Sequence, residues 1–190
     1  MSILSDEELM AQAQRGSETH FNLLVDRHTP AVYRLALEIT RNHHEAEDIV
    51  QETFLKVYSN LRRYSPDKAR FKTWLLTIAR NQSINVFRSL KRKTARLLFE
   101  YDFDEQAVEP GAGYASPENR NAEQMLSHRQ ETARIQGALG KLPERQRTAL
   151  LLKSQEGLSY DEIASIMKAS VSSVESLIFR ARKRLLELLE

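Results

Sequence analysis

The sequence predicts an all-α protein made of two small helical domains joined by a flexible linker, the C-terminal domain being a helix-turn-helix. Its 190 residues suffice for two small domains. Only six glycines and five prolines are present, which disfavours a turn-dense β-sandwich. Apolar residues recur at helical spacing except over 97–127, an acidic stretch containing glycine, proline and serine. We therefore expect domains at 1–96 and 128–190, with 97–127 as the linker.

The composition excludes several classes of protein. Apolar residues make up 41% of the chain and charged residues 28%, which is ordinary for a soluble globular protein. No stretch approaches the roughly 18 apolar residues that span a bilayer, and the N-terminus lacks the pattern of a secretory signal. Cysteine is absent, which excludes disulfides, thiolate zinc sites and cysteine nucleophiles. We expect a cytoplasmic protein without membrane insertion.

The first two helices have clear start signals. A capping box at Ser5–Glu8 predicts the first helix, which Gly16 ends. Ser17 can then cap a second helix. Pro30 interrupts its apolar stripe, so we expect a kink there or the start of a separate helix.

The strongest helical pattern follows Asn42, a natural N-cap. The stripe comprises Ala46, Ile49, Val50, Thr53, Phe54, Val57, Tyr58 and Leu61. The opposite face is acidic near its start, and folding alone does not require this. We infer that this face is available to a partner.

A loop at Tyr64–Asp67 separates this helix from the next, whose stripe restarts at Phe71. In the C-terminal domain, Pro143 is the expected first residue of a helix that Gly157 interrupts. A second capping box, Ser159–Glu162, opens a short helix, and a long one follows from about residue 171.

Charge is unevenly distributed along the chain. Residues 1–61 have a balance of −5, 62–96 of +10, 97–127 of −6 and 128–190 of +3. A balance of +10 within 35 residues is typical of a surface that contacts phosphates. A solvated helix face with no ligand could have the same excess of basic residues. The contrast with the acidic first block indicates two faces with different partners.

The last two predicted helices have the layout of a helix-turn-helix, with apolar residues where two short helices would cross. The second exposes polar residues at its N-terminal end, where a recognition helix enters the major groove, and basic residues further along. A helical hairpin with a basic terminal helix is the structural alternative.

Aromatic residues lie within the basic block 62–96, as in surfaces that stack single-stranded bases. Phe71 and Trp74 share a stripe with core-forming residues, so their rings are expected in the core. Tyr64 in the loop, and Asn81 and Asn85 on the polar side, are the better candidates for base contacts.

The sequence gives no indication of an enzyme. His43 and His44 diverge by about 100° on one helix and do not form a metal site. Neither a glycine-rich phosphate loop nor a nucleophile–base arrangement is recognisable. We expect no catalytic residue, no bound metal and no cofactor.

Four motifs in order resemble the extracytoplasmic-function (group 4) bacterial sigma factors of RNA polymerase. Residues 46–54 resemble the family's core-polymerase-binding helix, and 71–75 with 79–81 resemble its promoter-melting helix. Residues 142–143, 158–164 and 174–182 resemble the second domain's helix-turn-helix. The resemblance implies a stress-responsive initiation factor that binds core polymerase through the β′ clamp helices and the β flap, with an anti-sigma factor as a further partner.

The resemblance also implies three sets of site residues. Core polymerase would be bound by Asp48, Gln51, Glu52, Phe54 and Lys56. The opened −10 element would be bound as single-stranded DNA by Tyr64, Ser65, Lys68, Arg70, Lys72, Trp74, Arg80, Asn81 and Asn85. The −35 element would be bound as duplex by Ser172, Ser173, Glu175, Ser176, Phe179, Arg180, Arg182 and Lys183.

Two positions depart from the family pattern. Several members have arginine where Glu175 stands and a basic residue where Leu177 stands, so the −35 sequence recognised here should differ. The alternative function is that of a free-standing helix-turn-helix repressor or activator, which would bind duplex operators tightly without polymerase.

Overall fold

The computed structural model describes residues 4–100 and 134–189, and within these ranges every regular element is helical. The N-terminal domain contains α1 (Asp6–Gln14), α2 (Glu18–Thr40), α3 (His43–Ser59), a short 3-10 turn (Leu61–Arg63) and α4 (Phe71–Glu100). The C-terminal domain contains α5, described over 134–140, then α6 (Glu144–Ser154), α7 (Tyr160–Met167) and α8 (Val171–Leu189). Among the described residues, no helix has the length and apolar content to cross a membrane.

Both predicted capping boxes are confirmed. The Ser5 hydroxyl accepts from the Glu8 amide at 3.2 Å, and the Ser5 amide donates to the Glu8 carboxylate at 2.7 Å. Ser159 and Glu162 repeat the pair at 3.2 and 2.8 Å. Each box satisfies two backbone N–H groups that the first turn of a helix leaves unpaired.

Of the two alternatives at Pro30, the start of a separate helix is wrong, because α2 continues through the proline as one element of 23 residues. Proline inside a helix removes one backbone hydrogen bond and costs about 3 kcal/mol. Packing offsets this cost, since Ala31, Val32 and Leu35 directly after the proline are buried in the domain core. Tertiary contacts therefore override the local signal.

α4 remains helical to Glu100, so its last four residues fall in the stretch expected to be the linker. The remainder of the expected linker, and residues 128–133 of the expected C-terminal domain, lie outside the described residues. Pro143 is the N-cap of α6 and not its first helical residue, a shift of one position.

Two turns set the geometry of the C-terminal domain. Gly157 has φ +68°, a left-handed conformation that glycine adopts without strain, and it redirects the chain between α6 and α7. Lys168 has φ +50° in the turn between α7 and α8, where glycine is more usual. The Ala169 amide nevertheless closes that turn on the Ala164 carbonyl at 3.0 Å.

The two domains lie in contact. In the N-terminal domain α2 packs on α1, α3 and α4, and in the C-terminal domain α8 packs on α6 and α7. Between the domains, α4 packs against α7 and α2 against α6. The larger apolar cluster accordingly includes buried residues of both domains, such as Leu75 and Ile163. The contact places the predicted single-strand surface beside the helix-turn-helix.

Candidate nucleic-acid interface

The outward face of α8 carries all eight residues predicted to bind duplex DNA, and each of their side chains is exposed. Val174, Ile178 and Ala181 are buried on the opposite face and fix the helix to its domain. This spacing of four and three residues keeps the polar positions on one side of the helix. The helix-turn-helix therefore presents its recognition face to solvent.

The N-terminal end of α8 is rich in hydroxyl groups. The Ser170 hydroxyl accepts from the Ser173 amide at 3.2 Å and contacts the Ser173 hydroxyl at 2.9 Å. Ser172 lies 3.2 Å from the same oxygen. These groups occupy the positive end of the helix dipole, where phosphates and base edges are favourably bound.

Further along α8, Phe179 is 69% exposed and forms a surface depression with Glu175, Ser176 and Arg180. The Arg180 guanidinium donates to the Ser176 carbonyl at 3.1 Å, which orients it along the helix. An exposed aromatic ring between a carboxylate and a guanidinium provides acceptor, donor and apolar contacts to base edges.

The predicted single-strand surface is only partly open. Lys68, Arg70 and Asn85 are exposed, while Ser65 and Asn81 are half-buried. All five lie in the loop before α4 or on α4 itself. These residues could contact a strand without any rearrangement of the domain.

The expectation that the Tyr64 ring is a free base contact needs correction, because the residue is only 7% exposed. Its ring lies 5.9 Å from Phe71 and 5.2 Å from Trp74. Burial, with the nearby carboxylates of Glu7 and Asp6, raises the pKa of Tyr64 to about 12. The loop position indicated exposure, but aromatic packing draws the ring inward.

Phe71 is fully buried, which confirms that its ring belongs to the core. Trp74 is intermediate: it packs against the core and against both aromatic neighbours but remains partly exposed. The structure thus supports a structural role for this indole, whose residue is still partly accessible to solvent.

Lys72 and Arg80 differ from the open set because the C-terminal domain covers them. The Lys72 ammonium lies 2.9 Å from the Glu156 carboxylate and donates to the Glu156 carbonyl at 3.0 Å. Arg80 is 9% exposed, and its Nε has no hydrogen-bond partner. Burial lowers the pKa of Arg80, opposed by the nearby Glu144 carboxylate. Neither cation is free to bind a phosphate in this conformation.

The acidic surface predicted on α3 is largely confirmed as exposed, since Asp48, Gln51, Glu52 and Lys56 all face solvent. Phe54 does not belong to it. Its side chain is buried in the core, as its place on the apolar stripe requires. The direct contact with polymerase expected for Phe54 is therefore corrected: the residue packs inside the domain.

Leu55 is the functional candidate that sequence reasoning missed. It is 69% exposed in the middle of the polar face of α3, next to Glu52 and Lys56. Tyr58, placed on the apolar stripe from sequence, is also about half exposed, with one edge against Phe21. The sequence signal for Leu55 was a large apolar residue outside the apolar stripe of α3, because large exposed apolar groups mark binding surfaces.

The titratable groups near α1 are structural. His28 is buried and contacts the Asp6 carboxylate at 2.7 Å, and Arg27 pairs with the other Asp6 oxygen at 2.7 Å. Burial disfavours the charged carboxylate, but these hydrogen bonds outweigh it and hold the pKa of Asp6 below its usual value. Within the described ranges, no group of three or more His, Asp or Glu side chains is arranged to hold a metal ion.

Comparison with known proteins defines the class. Residues 24–93 match the family model for Sigma-70 region 2, and residues 132–185 match that for Sigma-70, region 4. Among curated relatives, RNA polymerase sigma-H factor of Pseudomonas aeruginosa is 34% identical over 94% of this chain and 90% of its own. The ECF RNA polymerase sigma-E factor of Haemophilus influenzae is 36% identical over 95% of this chain and 93% of its own.

Two solved structures have the same fold over most of their length. CnrH, in complex with the cytosolic domain of CnrY, is 29% identical with a TM-score of 0.67, over 97% of this chain and 96% of that one. The sigma factor RpoE, in complex with the anti-sigma factor NepR from Bartonella quintana, is 31% identical with a TM-score of 0.61, over 88% and 92%.

The two matched regions define a sigma factor of RNA polymerase. The chain belongs to the extracytoplasmic-function sigma factors, as the resemblance in the sequence implied. It is thus a transcription initiation factor, a regulator rather than a catalyst in the usual sense. This membership favours the sigma-factor interpretation over the free-standing repressor or activator.

Proposed function

We propose that this sigma factor divides promoter recognition among three surfaces: α3 for core polymerase, the α4 region for the opened −10 element, and α8 for the −35 duplex. The observation that carries the proposal is the exposed face of α8, because every residue expected to read duplex DNA lies there. On the same helix Val174, Ile178 and Ala181 are buried against the rest of the domain.

The polymerase surface is supported by the exposed acidic residues of α3 around Leu55. A charged rim around an exposed apolar residue is typical of a protein–protein interface. We propose that this surface docks on the β′ clamp helices, and that the C-terminal domain contacts the β flap. Leu55 joins the residues expected from sequence, and Phe54 supports them from the core.

The single-strand surface is supported by cations around a partly exposed indole. Lys68 and Arg70 are exposed and can neutralise phosphates, and Trp74 and Asn81 are partly exposed residues of α4. Each stacked base contributes about 1–3 kcal/mol, against an unstacking cost of a few kcal/mol. We propose that Asn81 and Asn85 supply polar contacts to the strand.

The duplex surface combines base contacts at the start of α8 with phosphate contacts further along. Ser172, Ser173 and Ser176 reach base edges, and Arg182 and Lys183 reach the backbone. We also propose an anti-sigma protein as a partner. The support is that RpoE of Bartonella quintana, 31% identical, was solved with an anti-sigma factor.

A run-off transcription assay with core polymerase on a promoter library tests the proposal. The wild-type chain is expected to bind core polymerase in a pull-down and to direct new start sites. Asp48→Lys should abolish both, because charge reversal places a cation in the centre of the acidic surface. A chain that neither binds core polymerase nor changes where synthesis begins would overturn the proposal.

The matched control is Asp26→Lys on α2, which reverses another exposed aspartate, outside the proposed surfaces. This control should retain polymerase binding and initiation. Loss of activity in both variants would indicate a general effect of charge rather than a docking surface.

A further inference from the structure

Helix α1 lies outside the residues 24–93 that match the Sigma-70 region 2 model, yet it is packed into the N-terminal domain. Leu9 and Met10 on one of its faces are at most 1% exposed. Asp6 in its first turn contacts the buried His28 of α2 at 2.7 Å. The helix is thus fixed to the domain, and the function proposed above gives it no role.

Gln14, the last residue of α1, holds the start of the loop 64–70 that precedes α4. Its side-chain amide donates to the Leu61 carbonyl at 2.8 Å and to the Tyr64 carbonyl at 3.0 Å. The amide has two N–H donors, so these two bonds use both of them. They tie α1 to backbone groups 47 and 50 positions further along the chain.

Glu7 of the same helix holds the end of the loop. Its carboxylate accepts from the Phe71 amide at 3.3 Å. Phe71 is the first residue of α4, and the leading N–H groups of a helix have no partner inside it. Glu7 therefore caps α4 from a distant element, with its negative charge at the favourable end of the helix dipole.

The spacing of these two residues makes α1 a frame for the loop. Seven positions separate Glu7 from Gln14, close to two helical turns, so both lie on one face about 10 Å apart along the axis. Within the loop, the Lys68 amide donates to the Ser65 carbonyl at 3.2 Å, which is a local contact. α1 thus fixes both ends of the segment that carries Ser65, Lys68 and Arg70.

We propose that Gln14 and Glu7 are positioning residues for binding of the opened −10 element. They hold the loop 64–70 so that the exposed side chains of Lys68 and Arg70 lie along the path of the strand's phosphates. Neither Gln14 nor Glu7 touches DNA in this role. The inference rests on the proposed binding of single-stranded DNA by the α4 region, and extends it to a helix outside the matched region.

The first test measures binding of single-stranded DNA by holoenzyme reconstituted with core polymerase. The probe is a fluorescein-labelled oligonucleotide with the −10 segment of a promoter selected in the run-off assay. Gln14→Leu keeps the side chain neutral and similar in size but removes both donors. Affinity at low salt should fall about tenfold, because two hydrogen bonds that hold the loop are lost.

The slope of log affinity against log salt concentration separates positioning from a loss of folded protein. Each phosphate contact on a single strand contributes about 0.7 to this slope, because it releases counterions. Displacing Lys68 and Arg70 should therefore make the slope shallower by about 0.7 to 1.4. Partial unfolding would lower the affinity by nearly the same factor at every salt concentration. An unchanged slope with reduced affinity would therefore overturn the inference.

The matched control is Gln12→Leu, the same change at another half-buried glutamine of α1. The two bonds from α1 to the start of the loop both come from Gln14, so Gln12→Leu should leave affinity and slope near wild type. A shallower slope in both variants would overturn the inference, because the cause would then be a general change in α1.

Glu7 tests the other end of the loop with two variants of equal charge. Glu7→Gln retains a side-chain oxygen that can accept from the Phe71 amide, whereas Glu7→Ala removes it. Only Glu7→Ala should make the slope shallower, and equal slopes in the pair would overturn the role of Glu7. If circular dichroism shows that Gln14→Leu is not folded, this pair decides the question.

The outcomes distinguish this inference from the proposed function. All variants should bind core polymerase as the wild type does, because α3 is unchanged. A wild-type slope in folded Gln14→Leu and Glu7→Ala, with normal promoter selection by the wild-type chain, would overturn the positioning role and leave the function standing. Failure of the wild-type chain to select any promoter would overturn the proposed function itself.

Discussion

The two proposed DNA-binding helices are placed very differently in the fold. α8 packs on one side only and exposes every predicted contact residue. α4 packs on α2 and α3 within its own domain and on α7 of the other, so part of its polar surface is covered. Packing on one side leaves every predicted DNA contact of α8 open, whereas packing on two sides leaves Lys72 of α4 paired and Arg80 buried.

The aromatic residues give the largest expected difference. Phe71→Ala at the start of α4 should lower the free energy of unfolding by about 3–5 kcal/mol, because a fully buried ring is removed from the core. Phe179→Ala on α8 should change it by less than about 0.5 kcal/mol, since that ring is exposed. Urea denaturation followed by circular dichroism measures both. Comparable losses from the two changes would contradict the contrast.

A smaller effect is expected on recognition by α8. The Glu175 carboxylate accepts hydrogen bonds and favours a cytosine amino group, whereas an amide pairs with adenine. Glu175→Gln should therefore shift the preferred base at one −35 position from cytosine towards adenine, with about 1–3 kcal/mol of discrimination. Selection of duplexes from a random pool by the holoenzyme measures the preference.

The control for this change is Glu187→Gln, which removes the same charge near the other end of α8. It should leave the preferred sequence as it is. An identical change in preference from both variants would show that Glu175 does not contact a base.

A smaller loss of stability is expected from the two capping boxes, one in each domain. Ser159→Ala and Ser5→Ala should each cost about 1 kcal/mol of stability, because each removes one N-cap hydrogen bond. The Ser159 box also orients Glu162 towards Thr73 of the other domain. Only Ser159→Ala should therefore lower the energy-transfer efficiency between fluorophores attached to Ser59→Cys and Ser165→Cys, two exposed positions, one in each domain. Equal transfer efficiency in the two variants would show that the Ser159 capping box does not contribute to the contact between the domains.

The effect at Asp6 is of similar size at neutral pH and depends on pH. Its pKa in the folded chain lies below the usual 3.8, so the ionised carboxylate stabilises the fold above that pH. Asp6→Asn should cost about 1 kcal/mol at pH 7. The difference from wild type should shrink as the pH falls from 3.8 through the lowered pKa. Urea denaturation between pH 2 and 7 measures it, and a difference that is constant with pH would contradict the assignment.

Local patterns in the sequence determined the helices, their starts and the exposure of two surfaces. Serine and glutamate three positions apart predicted both capping boxes, and the stripe on α3 predicted which of its faces is polar. The same stripe also predicted that Phe54 is buried. These features depend on contacts within one or two helical turns, which a periodicity of 3.6 residues describes completely.

Tertiary structure decided the features that depend on distant residues. α2 continues through Pro30 because its flanking residues are buried, and Tyr64 is buried because Phe71 and Trp74 lie beside it. Glu156 pairs with Lys72 and Arg34, which lie 84 and 122 positions away from it in the chain. No local pattern specifies such pairs, since a charged face has the same sequence whether water or another domain covers it. Which cations of this sigma factor are free for DNA is therefore a property of how its two domains pack.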